Sequence, residues 1–269
     1  MKVVAIIPVY NEERHIGRCL ESLSNFIDGI VILDDGSTDR TLEILSQYPK
    51  VWQILRTRPE SKRNWYDARN HLRLNRALAE FNPDWVIRID ADETFDDAMK
   101  LHLPKLANAA PDIRAFAFRR HLFDETEGKC SVSGLDTVRM YRYSPWSSFA
   151  TRRLHVQFEP VDITSPQIRM TNIRLWHHTG YTDRLREERF EKFAKADPFR
   201  LYQNSYENLL RKPNFISVQP GEEALELLLW IGPSHRSLHR LWQRGGEWLR
   251  VALHFAKWQL CRLRKDPGK

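Results

Sequence analysis

Cysteine is scarce in this sequence, which has 3 cysteines in 269 residues. They are Cys19, Cys130 and Cys261, and no two of them form a C-x-x-C spacing. An odd number without that spacing argues against a disulfide framework and against a zinc cluster. We therefore expect the chain to work in a reducing compartment.

Long apolar runs are also missing. No stretch reaches the roughly 18–20 apolar residues that a membrane-spanning helix needs. The apolar start, Val3–Val9, is interrupted by Pro8 and followed by polar residues 11–13, which favours a buried strand over a signal sequence. No G-x-G-x-x-G loop follows this strand, which argues against a dinucleotide-binding dehydrogenase.

The first hundred residues alternate apolar strands with helical patterns. Predicted strands cover Val3–Val9, 29–33, 51–55 and 85–89. Predicted helices cover 16–23, a short stretch that starts near Asp39, and 67–81. This order predicts a parallel sheet with helices on both faces, and ligands of such sheets bind beyond the carboxyl ends of the strands.

The pattern is less regular after residue 100. Strands are predicted at 115–119, 138–143 and 173–177, and a helix at 183–196. Residues 212–233 contain Pro and Gly and read as a linker. The predicted organisation is therefore an α/β domain over 1–211, a linker over 212–233 and a helical tail over 234–269.

Three acidic turns follow the predicted strands in order. They are PVYNEE at residues 8–13, DDGSTD at 34–39 and DADE at 90–93. Each turn alone is more often a solvated loop or a helix cap. All three together should bring two separate carboxylate groups, Asp34-Asp35 and Asp90/Asp92, to one crevice.

The three turns together closely resemble those of family 2 glycosyltransferases, strongly over residues 3–95 and more weakly to about 196. The resemblance implies an α/β fold of the GT-A type, with a mostly parallel central sheet, flanking helices and here a helical C-terminal extension. It also implies inverting transfer of a hexose-type sugar from a nucleoside diphosphate donor, UDP-linked, to a glycan or lipid-linked acceptor. The pattern H-x-G-Y at residues 178–181 resembles a subgroup that includes lipopolysaccharide-core glucosyltransferases, which suggests an envelope polysaccharide pathway.

The resemblance assigns the donor-binding residues. It places Pro8, Tyr10 and Glu12 against the base and ribose, Asp35 on the base, and Asp90 near the ribose. It places Asp92 on a divalent cation. Hard cations such as Mn²⁺ or Mg²⁺ prefer carboxylate oxygens and can stabilise the charge of a diphosphate leaving group.

Three further assignments keep alternatives open. Arg69 could clamp phosphate oxygens or be a surface arginine. His178 is our choice for a late metal or diphosphate ligand, with His177 as the alternative. The catalytic base is assigned to Asp136, with Glu159 as the alternative. The subgroup's His-Glu pair is broken here, because Val156 follows His155.

Positive charge is concentrated at the C-terminal end. The formal net charge is +7, and residues 234–269 hold nine Lys or Arg against two acidic residues, so the rest of the chain is neutral. A basic helix that also carries Trp, Phe and Leu is typical of segments that lie in a membrane interface. The alternative is a helix that packs on the domain. We expect a cytoplasmic protein held peripherally on the inner face of the cell membrane, with an anionic membrane surface as partner and no nucleic acid.

Two other classes of function stay open. A nucleotidyltransferase that makes the activated sugar would normally carry a Gly-rich phosphate-binding stretch after its first strand, and residues 8–13 have none. A non-catalytic relative that binds glycans or membranes is the second, because the catalytic base is unsettled.

Overall fold

The computed structural model describes residues 1–57, 67–124, 127–131, 135–150, 158–178, 182–197, 200, 203, 205–217 and 227–230. The chain divides into two compact units, Met1–Ile231 and Gly232–Lys269. The predicted helical tail, 234–269, lies outside the described residues.

One half of the central sheet is parallel. Its strands are β1 (Val3–Val9), β2 (Gly29–Asp34), β3 (Val51–Arg56) and β4 (Trp85–Arg88), in the spatial order β3-β2-β1-β4. The pairs β1–β2, β2–β3 and β1–β4 are all parallel. The predicted parallel sheet is confirmed here, and each predicted strand agrees with the observed one to within one residue.

Helices cover both faces of this half, as predicted. Helix α1 (Ile16–Ser24) packs through Ile16, Cys19 and Leu20 into the core cluster on one face. Helix α3 (Asp67–Ala77) contributes Leu74 to the cluster on the other face. The described residues also form helices α2 (Thr41–Leu45), α4 (Ala98–Ala107) and α5 (Asp183–Ala196). Short 3-10 turns lie at Leu78–Glu80, Ser165–Gln167 and Glu207–Leu210.

The other half of the sheet is mainly antiparallel. Its strands are β5 (Glu93–Phe95), β6 (Ala115–Asp124), β7 (Lys129–Ser131), β8 (Leu135–Arg142), β9 (Ile168–His177), β10 (Phe215–Ser217) and β11 (Leu229–Trp230). Strand β8 joins the halves by pairing antiparallel with β4 and with β6. Strand β9 pairs parallel with β6 and antiparallel with β5 and β11.

Two of these strands fall in the range that the sequence predicts to be a linker, 212–233. Strand β10 pairs with β7, and β11 pairs with β9. Both segments are therefore part of the sheet, and the first compact unit extends to Ile231 instead of ending at residue 211. The linker prediction rested on the Pro and Gly residues of this range. The two strands could not be detected, because segments of two or three residues are too short to show a periodic pattern in the sequence.

Strand β8 contains a bulge. Val138 lies opposite Ala117 and Met140 lies opposite Phe116, so Arg139 has no partner residue on β6. Val138 and Met140 would share one face of a regular strand, yet they pack into different core clusters. The extra residue shifts the alternation, so that Val138 and Tyr141 pack into the same cluster although they are three residues apart.

Within the described part of the chain, no helix is both long and apolar enough to cross a membrane.

Candidate functional site

The three acidic turns meet at one edge of the sheet. In the register of the parallel strands, Val9 lies beside Asp34, and Ile6 lies beside Arg88. The backbone N–H of Asp35 donates to the carbonyl of Val9 at 2.9 Å. The carboxyl ends of β1, β2 and β4 therefore deliver residues 10–13, 35–39 and 89–92 to the same edge, as the sequence predicts.

Hydrogen bonds tie the first two turns together. The N–H of Asn11 donates to Ser37 Oγ at 2.9 Å, and the N–H of Thr38 donates to Asn11 Oδ1 at 2.8 Å. The N–H of Glu12 donates to Thr41 Oγ1 at 2.8 Å. Asn11 has φ 51°, a left-handed conformation that Asn tolerates better than most residues. This rigid pair of turns holds Tyr10 and Glu12 half-buried at the sheet edge.

The two aspartates of the second turn differ in their surroundings. Asp34 is fully buried, accepts the N–H of Ser37 at 3.0 Å and pairs with Arg56 Nε at 3.4 Å. These bonds shape the turn. No side-chain hydrogen bond joins the carboxylate of Asp35 to the described residues, so Asp35 is the member of the pair that can serve a ligand. Pro8, half-buried, lies opposite Leu33 in the strands below.

Two arginines hold Asp90. Arg88 Nη1 donates to Asp90 Oδ1 at 2.7 Å, and Arg139 Nη2 donates to Asp90 Oδ2 at 3.0 Å. Burial would raise the pKa of the Asp90 carboxyl, but the charges of Arg88 and then Arg139 hold that pKa well below its usual range. Asp90 is therefore a fixed carboxylate, with 31% of its side chain exposed at the mouth of the site.

A buried carboxylate lies next to this pair. Glu93, fully buried, accepts Arg139 Nε at 2.9 Å and Arg139 Nη2 at 2.6 Å. Arg120 Nη1 lies 3.4 Å from Glu93 Oε1. The other oxygen of Glu93 accepts the backbone N–H of Asp90 at 3.2 Å, so Glu93 also fixes the turn that carries Asp90.

Asp92 faces a histidine from the end of β9. His177 Nε2 lies 3.1 Å from Asp92 Oδ2, and His177 is 5% exposed. Burial by itself would raise the pKa of Asp92, but the charge and hydrogen bond of His177 hold it well below its usual range. Strand β5 pairs with β9 so that Glu93 lies opposite His177, and this pairing brings Asp92, the residue before Glu93, next to His177.

His178 has a different partner. Its Nε2 lies 2.8 Å from Thr94 Oγ1, and its backbone N–H donates to the carbonyl of Asp92 at 2.8 Å. Burial, and after it the charge of Arg18, lowers the pKa of His178 to about 4, so the imidazole is neutral at neutral pH. The structure thus brings the ring of His177, the alternative choice from the sequence, to the Asp92 carboxylate and the ring of His178 to Thr94.

Two ligand atoms are suitably spaced for a divalent cation. Ligands that each lie about 2.1 Å from an octahedral cation are about 3 Å apart, and Asp92 Oδ2 and His177 Nε2 are separated by 3.1 Å. Among the described residues, no group of three His, Cys, Asp or Glu side chains could hold a metal. Asp92 and His177 fit a cation that keeps its other positions for water and phosphate oxygens, as Mg²⁺ usually does.

Asp136 and Glu159 occupy different surroundings. Both oxygens of Asp136 accept hydrogen bonds from Arg119, at 2.9 and 3.0 Å, on the β6–β8 ladder. Glu159 is 3% exposed and follows Phe158, whose ring lies 3.9 Å from the guanidinium carbon of Arg139. Glu159, the alternative base, therefore follows the phenylalanine that packs on Arg88 and Arg139. Asp136, the preferred base, is held in a salt bridge with Arg119.

Arg69 is exposed in the first turn of α3. Its neighbours Asn70 and His71 are buried, each 2% exposed. His71 Nε2 accepts Arg88 Nε at 3.2 Å, and burial, with Arg88 next, lowers the pKa of His71 well below its ordinary value. The structure connects α3 to the acidic turn through His71, whereas it leaves Arg69 at the surface.

The sequence analysis missed Arg88, Arg139, Glu93 and His71. A signal for the arginines was present: Arg88 ends an apolar strand, and Arg139 stands between Val138 and Met140. A charged residue in a buried strand needs a partner, because burying an unpaired charge is costly. The carboxylates that satisfy both arginines lie in the DADE turn.

Comparisons with known proteins give the family. The model of glycosyl transferase family 2 matches residues 4–207, more than half of the chain. An uncharacterized protein of Mycobacterium tuberculosis is 29% identical over 209 residues, which cover 74% of this chain and 51% of that protein. The lipopolysaccharide core biosynthesis glycosyltransferase LpsC of Rhizobium meliloti is 35% identical over 109 residues, which cover 40% of this chain and 38% of LpsC.

A solved structure of S. aureus TarS, residues 1–349, superposes with a TM-score of 0.41 at 15% identity, covering 78% of this chain and 69% of that chain. This chain spans about half the length of the mycobacterial relative. The family match includes all three acidic turns and the strands that carry them, and the fold is the GT-A type expected from the resemblance. The chain belongs to glycosyl transferase family 2.

Proposed function

We propose that the chain transfers a hexose-type sugar from a nucleoside diphosphate donor, UDP-linked, to a hydroxyl of a glycan or lipid-linked acceptor, with inversion at the anomeric carbon. The observation that carries this proposal is the meeting of the turns 8–13, 34–39 and 90–93 at one sheet edge, with Asp92 3.1 Å from His177. Family membership supports the reaction class.

The donor would lie across the carboxyl ends of β1, β2 and β4. Tyr10, Glu12 and Asp35 have the positions to contact the base and ribose, because the bonded turns hold them at this edge. The Asp90 carboxylate, held by two arginines, presents its exposed side to a ribose hydroxyl. A carboxylate that is already held in place loses less conformational entropy when it accepts a hydrogen bond from the donor than a mobile carboxylate does.

Asp92 and His177 would hold a Mn²⁺ or Mg²⁺ ion, which when bound supplies positive charge to the diphosphate leaving group. The Asp92 carboxylate is ionised at neutral pH, as a metal ligand must be. The N–H of His178 fixes the backbone of Asp92, so His178 supports this ligand from the side. The base that takes the acceptor proton stays assigned to Asp136, with Glu159 as the alternative.

Two relatives support the choice of acceptor class. LpsC is named for lipopolysaccharide core biosynthesis. TarS of Staphylococcus aureus, named a poly(ribitol-phosphate) beta-N-acetylglucosaminyltransferase, is 27% identical over 168 residues, which cover 57% of this chain and 28% of TarS. Both names refer to envelope polymers, in line with a glycan or lipid-linked acceptor for this chain.

A donor screen tests the proposal. Purified protein is incubated with UDP- and GDP-sugars and Mn²⁺, and released nucleoside diphosphate is measured with and without a chelator. We expect release from a UDP-sugar that stops with the chelator and returns with Mn²⁺ or Mg²⁺. Formation of a nucleotide sugar from a nucleoside triphosphate and a sugar phosphate would establish a nucleotidyltransferase instead. Absence of both release and nucleotide binding would leave a non-catalytic relative.

The basic tail, 234–269, would hold the protein on an anionic membrane at the cytoplasmic face. Its lysines and arginines each contribute about 1 kcal/mol near an anionic surface, a contribution that salt screens. Burial of Trp242, Trp248 and Trp258 would add a part that salt does not screen. Binding to anionic vesicles should weaken with salt without vanishing. Unchanged binding after removal of 234–269 would exclude this role.

A further inference from the structure

The arginine at the bulge of β8 has two carboxylate partners in the DADE turn. Arg139 is fully buried, and its guanidinium donates to Asp90 Oδ2 at 3.0 Å and to Glu93 Oε1 at 2.6 Å. Its Nε donates to the second oxygen of Glu93 at 2.9 Å. One side chain on β8 thus connects two residues that lie 46 and 49 positions earlier in the chain.

The pairing of β8 with β4 explains how Arg139 reaches this turn. In the pairing of β4 with β8, Ile87 lies opposite Met140, so the next position places Arg139 beside Arg88. Both guanidiniums lie over the ring of Phe158, at 4.5 Å for Arg88 and 3.9 Å for Arg139. Met140 packs into one core cluster and Tyr141 into the other, as regular alternation requires, so the bulge changes the face of Val138 and not that of Arg139.

We propose that Arg139 is a positioning residue for donor binding: it fixes the plane of the Asp90 carboxylate and, through Glu93, the backbone of the turn that also carries Asp92. This inference rests on the proposed function, because Asp90 and Asp92 are the donor-side carboxylates in it. Arg88 takes one oxygen of Asp90 and Arg139 takes the other. Without Arg139, Asp90 keeps one guanidinium partner and can rotate about its side chain.

Glu93 transmits the second part of the effect. Its Oε2 accepts the N–H of Asp90 at 3.2 Å, and Arg139 binds both of its oxygens. Arg120, at 3.4 Å, is the weaker of its two ion-pair partners. Loss of Arg139 would leave the buried Glu93 carboxylate with Arg120 at 3.4 Å as its remaining described cation, so Glu93 would move from its present position. This movement would loosen the turn at Asp90, whose N–H Glu93 accepts.

The test measures UDP binding by calorimetry with Mn²⁺, and kcat and KM for donor hydrolysis. Arg139→Met keeps much of the side-chain volume and removes the guanidinium, and we expect UDP affinity to fall about 10- to 100-fold, the range typical of residues that orient ligand-binding groups. Arg139→Lys keeps the charge without the planar fork, and we expect a smaller loss of about 10-fold.

A matched control lies on the same strand. Arg142 ends β8 away from the acidic turn, where it donates to the carbonyls of Ile113 and Ala109 and lies 4.4 Å over Trp85. Arg142→Met removes the same group from the same strand. We expect it to lower Tm while UDP affinity stays within about twofold of the wild type. Equal losses of UDP affinity in both methionine variants would mean a general structural effect and would overturn the inference.

A double-mutant cycle sharpens the test. If Arg139 acts partly through Glu93, then Glu93→Gln should weaken UDP binding in the wild type and have little further effect in Arg139→Met. Additive losses would separate Glu93 from Arg139 and overturn that part of the inference.

The outcomes distinguish this inference from the proposed function. Wild-type protein that binds neither UDP nor a UDP-sugar contradicts the proposed function itself. Wild-type binding with unchanged affinity in Arg139→Met overturns only the role of Arg139. If Arg139→Met does not fold, Arg139→Lys decides: unchanged UDP affinity overturns the inference, and a loss of about fivefold or more without a matching fall in Tm supports it.

Discussion

The two halves of the sheet hold their parts of the site by different means. In the half built from β3, β2, β1 and β4, strands β1, β2 and β4 are buried apolar runs apart from Asp34 and Arg88 at their ends. Hydrogen bonds between loops, such as Asn11 to Ser37, fix the first two turns. In the half built from β8, β6, β9 and β5, charged side chains enter the strands themselves, and ion pairs such as Arg139 to Glu93 fix the acidic turn. In the first half, the order of the strands and the hydrogen bonds between loops place the turns. In the second half, ion pairs with strand arginines place the carboxylates of the acidic turn.

This difference predicts where single substitutions matter. A loop held by several backbone hydrogen bonds loses about 1 kcal/mol when one bond is removed. A buried ion pair that loses one partner leaves an uncompensated charge, which costs about 3–5 kcal/mol. The function of the second half should therefore be more sensitive to single changes, although most of the proposed nucleotide contacts belong to the first half.

The largest effect is expected at Asp92, where the two halves meet. Asp92 follows β4 and contacts His177 at the end of β9. Asp92→Asn removes the charge that would hold a divalent cation, and kcat should fall about 10³-fold or more. Release of nucleoside diphosphate with saturating Mn²⁺ measures this.

Asp97→Asn is the matched control for Asp92. Asp97 is an exposed residue at the start of α4, five positions later in the chain, and Asn serves equally well at a helix N-terminus. The control should keep full activity. A folded Asp92→Asn protein with wild-type kcat would show that this carboxylate does not serve the reaction.

The next largest effect is expected at the catalytic base. It tests whether the second half of the sheet also supplies the group that takes the acceptor proton. If Asp136 takes the acceptor proton, Asp136→Asn should lower transfer about 10²-fold or more and leave nucleoside diphosphate binding unchanged. Each oxygen of Asp136 already binds Arg119, so the acceptor hydroxyl would have to reach the second lone pair of one of them. Glu159→Gln is compared under the same conditions. Normal transfer by the Asp136 variant, with loss in the Glu159 variant, would move the base to Glu159.

The two histidines give a smaller difference. His177→Ala should weaken Mn²⁺-dependent nucleotide binding about 10- to 100-fold, because His177 Nε2 lies 3.1 Å from Asp92. His178→Ala should have a smaller effect, since its ring is bonded to Thr94. Titration of UDP with and without Mn²⁺ separates the two variants. A larger loss in the His178 variant would return the metal ligand to the residue that the sequence favoured.

Much of the first half could be predicted from the sequence. Strand β1 is a continuous apolar run that a buried parallel strand requires, and its predicted bounds, Val3–Val9, agree with the structure. The acidic turns follow from the same reasoning, because parallel strands carry their carboxyl ends to one edge. This inference about the acidic turns did not require the pairing register of the strands to be known.

The second half was predicted less completely, for physical reasons. Strand β6 extends to Asp124, whereas the predicted strand ended at residue 119. The prediction stopped early because residues 119–124 are polar or half-buried and lack a clear apolar alternation. Helix α4 was missed; it contains Pro104, and apolar residues occur on most of its surface. The contacts of Arg139 depend on the pairing of β8 with β4, which no local sequence pattern encodes.

The smallest predicted effect is the pH dependence of stability that His71 contributes to the first half. Burial, followed by the charge of Arg88, holds the pKa of His71 well below its ordinary value of about 6.5. Below about pH 6.5 the unfolded chain binds a proton at His71 that the folded protein does not bind. The resulting stability is therefore complete above pH 6.5 and is lost as pH falls.

Substituting His71 isolates this contribution. His71→Gln keeps an oxygen that can accept the N–H of Arg88, now 3.2 Å from His71 Nε2, and removes the proton. His15 and His178 also have lowered pKa values, so the wild type should keep part of its pH dependence. The slope of unfolding free energy against pH, from urea melts between pH 8 and pH 5, should decrease in the variant by up to about 1.4 kcal/mol per pH unit. Identical slopes in the two proteins would mean that His71 is protonated equally in the folded and unfolded states, and that Arg88 is held by Asp90 without help from a neutral imidazole.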